Sequence, residues 1–435
     1  LQVKTGASLS FQKTFTIILL ILAGEAVFIL PFVLARVFRP TFLDVFELTN
    51  LELGTCFSVY GMVAFISYLF GGSLADAFKP KILIAVALFL TAAGGVVLAT
   101  YPSNTTLHLL YGYWGFTTIF LFWAAMIKAT RVWGGQHRQG RAFGFLDGGR
   151  GLVAAAFGSL GVFVFSLFIT SEIAEAAFAE RKEAFRYVIL ISSAIIGLIG
   201  LLVLFFLRSD PSEEPLELPR RSFHETLLNY AVVIKIPTVW LLMVIILCAY
   251  VGYKITDVFS LYAREVMLYN EIESAEVGTY LLYIRPVVGV GIGFLADKTK
   301  TSLMMVLGFV VMLIGSLLFA SGILGPSVSF FFLLSLLITA TGVYAFRTLY
   351  FAALQEGYVP LAVTGTAVGL ISLVGYTPDI FMGPAMGYLL DASPGEPGHQ
   401  HVFWMLSAFT VIGLAAAIRF YRITRNPQFI ETKTQ

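Results

Sequence analysis

Ionisable side chains stand within long apolar runs or at their ends, among them Glu25, Lys128, Arg131, Asp147, Arg150, Lys254, Asp257, Arg285, Arg347, Glu356 and Asp379. Such a group in hydrocarbon is costly, so it persists mainly where it faces a wet cavity or a charged partner. Guanidinium and ammonium groups held in such places match carboxylate, sulfonate or phosphate. Carboxyls there can carry protons, because burial favours the neutral acid and a neighbouring cation favours the carboxylate. A solute that occupies the cation therefore invites protonation of the acid. Six of the set are basic and five acidic; without Arg131 and Glu356, which stand at span ends, five face four. That small excess favours an anionic solute.

Arg285 and Arg347 have no acidic residue within a turn on their own helix. With Lys254, Lys128 and Arg150 they are the candidate substrate-binding cations. Tyr253, Tyr283 and Tyr376 stand beside Lys254, Arg285 and Asp379 and could hydrogen-bond a polar solute. Glu25, Asp379, Asp257 and Asp147 are the candidate proton carriers, with Glu25 and Asp379 foremost. Asp147–Arg150 and Lys254–Asp257 are spaced i,i+3, which puts each pair on one helix face and leaves mutual neutralisation open. Asp379 follows Pro378 and precedes Gly383 and Pro384, a stretch where a helix should kink, either as a gate or simply to allow close packing. Arg131 is expected to snorkel, and Glu356, just before Gly357 and Pro360, to meet solvent or a loop.

The elements that must position these groups are membrane spans. The hydrophobic fraction is 58%, charged residues make up 12% and mean hydropathy is +0.86, against about 25% charge in a soluble chain. A spanning helix needs roughly 20 apolar residues. Twelve runs qualify: 14–38, 52–75, 82–100, 107–131, 142–170, 186–207, 237–262, 275–296, 302–323, 328–355, 363–390 and 401–423. The first is too long for a signal-peptide core and is expected to be a retained span. The long polar stretch after the sixth run reads as a linker, giving a first bundle over 1–207, a cytoplasmic linker over 208–235 and a second bundle with a short tail over 236–435. With the first terminus inside, Lys and Arg concentrate in the inner segments. The outer ones hold only Arg36, Arg39, Arg181, Lys182, Arg186 and Arg264. Both termini are therefore expected in the cytoplasm.

Several chemistries are unsupported. The net charge is +2 and no basic cluster interleaves with aromatics, so nucleic acid is not an expected partner. Cys56 and Cys248 both lie in apolar runs, and two cysteines make neither a disulfide framework nor a thiolate metal site. The chain has no Gly-x-x-x-x-Gly-Lys-[Ser/Thr] loop, so ATP is not the direct energy source, and no His-Glu-x-x-His or Gly-x-Ser-x-Gly pattern of an enzyme. No cofactor, metal or catalytic residue is expected.

The chain repeats itself. Gly72-Ser-Leu-Ala-Asp76 recurs 221 residues on as Gly293-Phe-Leu-Ala-Asp297, with Lys79 and Lys81 after the first and Lys298 and Lys300 after the second. Gly140-Arg-Ala-Phe-Gly144 and Gly365-Thr-Ala-Val-Gly369 open the fifth and eleventh runs at an offset of 225. A weaker echo links Phe32–Arg36 to Phe259–Arg264. Two homologous halves are the construction of a transporter built from internal repeats.

Gly-x-Leu-Ala-Asp followed by basic residues, between spans two and three and again between eight and nine, resembles the signature loop of the major facilitator superfamily. The start of span five is similar to that family's usual fifth helix. The resemblance covers nearly the whole chain. It implies an all-α integral membrane protein with 12 transmembrane helices in two pseudo-symmetric six-helix bundles, around a cavity that opens alternately to each side. It also implies a conformational latch at Gly72, Asp76, Lys79, Gly293, Asp297 and Lys298; Ala77, where the family usually has a basic residue, departs from it. Spans one and seven face each other in that fold, with Glu25 and Lys254 at similar depth. Tyr283-Ile-Arg-Pro286 is faintly similar to the anion-carrying members, although their partner arginine in span two is missing. The expectation is a monomeric secondary transporter of a small hydrophilic organic anion, proton-coupled, in a bacterial inner membrane. The alternatives are a non-transporting sensor on the same fold and an exporter of amphipathic compounds.

Overall fold

The computed structural model describes residues 6–134, 139–169, 178–207, 231–350, 353–359 and 364–425. These residues are mostly helical, with no strand among them. Eleven helical segments are long and apolar enough to cross a membrane: Lys13–Val37, Asn50–Tyr68, Pro80–Leu98, Asn104–Gly134, Ala142–Leu167, Phe178–Phe206, Pro237–Glu265, Glu271–Ala296, Thr301–Ala320, Pro326–Arg347 and Glu396–Arg425. The twelfth place, eleventh in chain order, is taken by two shorter helices, Thr364–Gly375 and Pro378–Ala392, with a break at Tyr376 and Thr377. A proline has no N–H to offer and sits well in the first turn of a helix, so Pro378 restarts the helix. The sequence run 363–390 is thus one crossing in two pieces. Most of the expected linker, residues 208–230, lies outside the described residues.

Contacts divide the chain into two compact units. The first takes the described residues of Leu1–Glu213 with Asp257–Arg264 and Leu268–Pro286; the second takes those of Glu214–Thr256, Glu265–Met267 and Val287–Gln435. In the first unit, span one is interrupted by a π-helical turn at Ile29–Val33 that holds Pro31. Pro31 cannot donate to the preceding turn, and the wider winding absorbs that gap. Span three packs on spans four and six through glycines. A Cβ on Gly94 would meet the Trp114 indole, and one on Gly95 would overlap Ser193 Oγ. In the second unit a Cβ on Gly315 would overlap Thr339 Oγ1, and one on Gly413 would overlap the Phe309 ring. Gly94 and Gly315 are themselves 221 residues apart.

The start of span two shows the same repeat in hydrogen bonds. Glu52 N–H donates to Thr49 Oγ1 at 3.1 Å and Thr49 N–H donates to Glu52 Oε2 at 2.9 Å. Span eight begins alike: Glu273 N–H donates to Asn270 Oδ1 and Asn270 N–H donates to Glu273 Oε2, both at 2.9 Å. Each box satisfies two N–H groups that a helix start leaves open and contributes about 1 kcal/mol. Asn270 and Glu273 follow Thr49 and Glu52 by 221 residues, the interval of the glycine–aspartate corner.

Candidate functional site

In the first unit, four of the charges meet. Glu25 lies on span one, Asp147 and Arg150 one turn apart on span five, and Arg285 on span eight. Arg150 Nε donates to Glu25 Oε2 at 3.0 Å, and Arg285 Nη1 reaches Glu25 Oε1 at 3.5 Å. Arg285 Nη2 donates to Asp147 Oδ1 at 3.0 Å. The members of the i,i+3 pair therefore each reach another helix. Glycines make this approach possible: a Cβ on Gly24 would stand 3.2 Å from Arg150 Cδ, and one on Gly151 3.0 Å from Pro286 Cδ. The Arg150 guanidinium also lies over the rings of Phe28 and Trp123, at 5.4 and 5.7 Å.

These two acids and two guanidiniums balance one another, so the cationic excess counted along the sequence does not lie among these four side chains. The members differ in exposure. The Arg285 side chain is 5% exposed and the Glu25 side chain 5%, whereas Asp147 is 38% exposed. Arg285 Nε is buried and makes no hydrogen bond among the described residues. Nearby on the same helices, Tyr283 Oη and Ser159 Oγ share a hydrogen bond of 2.9 Å.

A second ion pair in this unit was not legible as one. Arg36, counted among the outer-loop cations, is buried and donates from Nε to Asp257 Oδ1 at 2.6 Å. It is not a loop residue: span one runs on to Val37 and is followed at once by the helix Arg39–Val45. Ser260 Oγ donates to the Arg36 carbonyl at 2.6 Å. A Cβ on Gly278 would press on the Val37 backbone. Asp257 stands 221 residues after Arg36, the interval of the glycine–aspartate corner and not that of the weaker echo ending at Arg264; on that register, equivalent positions of the two repeats carry opposite charges and bond to each other.

In the second unit, Lys254 is 2% exposed and its Nζ lies 3.4 Å from Asp379 Oδ1. Tyr250 Oη lies 3.1 Å from both Asp379 oxygens. The Tyr250 ring meets Tyr376 edge-on at 4.9 Å and Tyr253 at 5.5 Å, and the Arg347 guanidinium lies 4.4 Å over Tyr253. Tyr250 escaped the sequence reading, although it stands four residues before Lys254 and so shares its helix face.

Other expected site residues have local roles. Lys128 Nζ donates to the Ala75 carbonyl at 2.8 Å, at the glycine–aspartate corner. Glu356 accepts from the N–H groups of Thr301 and Ser302 at 2.5 and 3.0 Å, capping span nine. In the expected latch, Gly72, Lys79 and Lys298 are exposed and Gly293 is half-buried. The side chains of Asp76 and Asp297 lie outside the described residues. Among the described residues no group of His, Cys, Asp and Glu could hold a metal ion.

Residues 14–379 match the family model described as Major Facilitator Superfamily. The inner membrane protein YqcE of Escherichia coli (strain K12) is 26% identical over 422 residues, covering 94% of this chain and 95% of its own. The inner membrane protein YihN of the same organism is 26% identical over 410 residues, covering 92% and 93%. Among solved structures, a bacterial homolog of the human lysosomal transporter Spinster, inward-facing and unoccupied, matches with a TM-score of 0.68 at 18% identity, over 95% of this chain and 97% of its own. The nucleoside transporter NupG matches with a TM-score of 0.71 at 14% identity, over 94% and 100%. At these identities the likeness to the solved structures is one of fold.

Proposed function

Because this chain belongs to the Major Facilitator Superfamily and has the fold of its transporters, we propose that it carries a small hydrophilic organic anion across a bacterial inner membrane by alternating access, together with protons, with both termini in the cytoplasm. The observation that supports the cargo is Arg285. Its buried guanidinium is shared between a buried acid, Glu25, and a half-exposed one, Asp147, and its Nε has no hydrogen bond among the described residues. An arriving carboxylate, sulfonate or phosphate competes with Asp147 for Nη2 and finds Nε beside it, the two-pronged geometry a guanidinium favours. Glu25, held also by Arg150, keeps Arg285 in place through the exchange.

Asp147, displaced from its cation in a partly dry site, takes up a proton. The cluster then holds two guanidiniums, Glu25, a neutral Asp147 and the anion. It has no net charge before or after, which avoids the cost of a lone buried ion. Asp379, paired with Lys254, is a second carboxyl that takes a proton in this reading, gaining and losing it on one side of the membrane so that a single proton travels with the anion, and Tyr253, Tyr376 and Arg347 offer further polar contacts to the solute. The two relatives bearing inner-membrane names support the location.

The test is uptake into proteoliposomes under an imposed proton gradient, across carboxylates, sulfonates, phosphates, sugars and nucleosides. Saturable, gradient-driven uptake of an anion is expected. Uptake of neutral solutes alone, anion flux indifferent to pH, or binding without any flux would each overturn the reading, the last in favour of a sensor. Asp147→Asn separates the two halves of the mechanism. It should retain anion exchange across the membrane while losing uphill accumulation driven by protons, read as an unchanged counterflow rate beside an accumulation ratio near one.

A further inference from the structure

Asp379 has three features that no other acid in the described residues combines. It sits in the first turn of Pro378–Ala392, immediately after the break in span eleven. It receives a buried ammonium, Lys254, at 3.4 Å. A phenol, Tyr250, spans both of its oxygens at 3.1 Å. Helix start, ammonium and phenol all present donors or positive charge to this carboxyl. The phenol does one thing more: its ring lies edge-on to Tyr376, a residue of the break itself.

Lys254 stands in the last turn of Pro237–Ile255, before the winding tightens at Thr256–Val258. The carboxylate, the ammonium and the phenol thus sit where two helices both depart from regular winding, and such departures often mark hinges. We propose that Tyr250 is a positioning residue that sets how readily Asp379 takes a proton and ties that event to the break in span eleven. This rests on the proton-coupled reading above. Protonating either Asp379 oxygen puts a hydrogen where Tyr250 Oη donates and cancels the charge that faces Lys254. The phenol then has one neutral carbonyl oxygen in place of a charged pair to hold it, which loosens the ring that meets Tyr376 edge-on. Charged and titratable groups around the carboxyl include Lys254 and Tyr250 directly, with Tyr376 and Tyr253 against the Tyr250 ring and Arg347 over Tyr253.

The test is the pH profile of initial anion uptake for the unaltered protein and for Tyr250→Phe, which keeps the ring and its contact with Tyr376 but loses the donor. A carboxylate without that donor takes its proton more readily, so the midpoint of the profile should move to higher pH by about one unit. Asp379→Asn should remove that limb of the profile, and Asp379→Glu should restore it with a changed midpoint. Coincident profiles for Tyr250→Phe and the unaltered protein would overturn the proposal, as would a uniform loss of rate at every pH, which is what a purely structural tyrosine gives. A pH-indifferent profile in the unaltered protein would sink the proton-coupled reading itself, so the two failures are distinguishable.

Discussion

Arg285→Ala should reduce anion uptake at least 100-fold, to the level of empty vesicles. The substitution removes the guanidinium that the solute would bind and leaves Asp147 and one oxygen of Glu25 without the cation that faces them. A loss of about 2.7 kcal/mol in binding alone is a hundredfold. Arg285→Lys distinguishes lost charge from lost shape. A lysine restores the positive charge but offers a point rather than a fork. It should recover a folded protein with KM raised tenfold or more and a smaller change in maximal rate. Initial rates of the responding anion, measured on protein shown to be monodisperse by gel filtration, check both variants. Wild-type uptake in Arg285→Ala would remove the basis for an anionic cargo.

The second large effect is one of stability. Asp257→Ala should lower the thermal midpoint in detergent strongly, because it leaves Arg36 buried with no carboxylate at 2.6 Å. Breaking a buried ion pair from one side typically costs about 3–5 kcal/mol. Exchanging the two residues, Arg36→Asp with Asp257→Arg, should recover a good part of the loss, since the positions are equivalent in the two repeats and the site is sealed on both sides. If the single variant melts with the unaltered protein, the pair contributes nothing and its burial is incidental. The positions lie just beyond the π-helical turn Ile29–Val33 and within the tight turn Thr256–Val258. Loss of the pair should therefore be felt in spans one and seven first, as faster hydrogen exchange confined to those segments.

Much of the architecture can be read from residue type alone. Apolar runs of sufficient length become spans, and the repeated Gly-x-Leu-Ala-Asp corner marks the duplication, because both signals are local. The pairing of charges is not local. Lys254 and Asp257 are three residues apart, a spacing that on a regular helix puts them on one face. The winding tightens between them, and Lys254 turns to Asp379 while Asp257 turns to Arg36. Likewise Asp147 and Arg150 share a face yet reach spans eight and one, because Gly24 and Gly151 let those helices come close enough.

Two signals were present and passed over. Thr49 with Glu52 and Asn270 with Glu273 have the spacing of helix-start boxes at the interval of the repeat. Tyr250 stands one turn before Lys254. The broken crossing at Tyr376 and Thr377 is half legible: Pro378 and Gly383-Pro384 announce a kink, but the two-residue gap depends on how the flanking pieces pack.

The charge balance around Arg285 has an energetic consequence for the cell. Moving one elementary charge through a membrane potential of 100 mV is worth about 2.3 kcal/mol. A carrier whose loaded site stays at zero charge gains none of that. One proton travelling with one anion would make the cycle electrically silent, so the accumulation ratio would follow the pH difference alone, about tenfold for each unit. Clamping the voltage with potassium and valinomycin should leave the rate unchanged. The organism would then take up this solute best where its surroundings are acidic, however strongly its membrane is polarised.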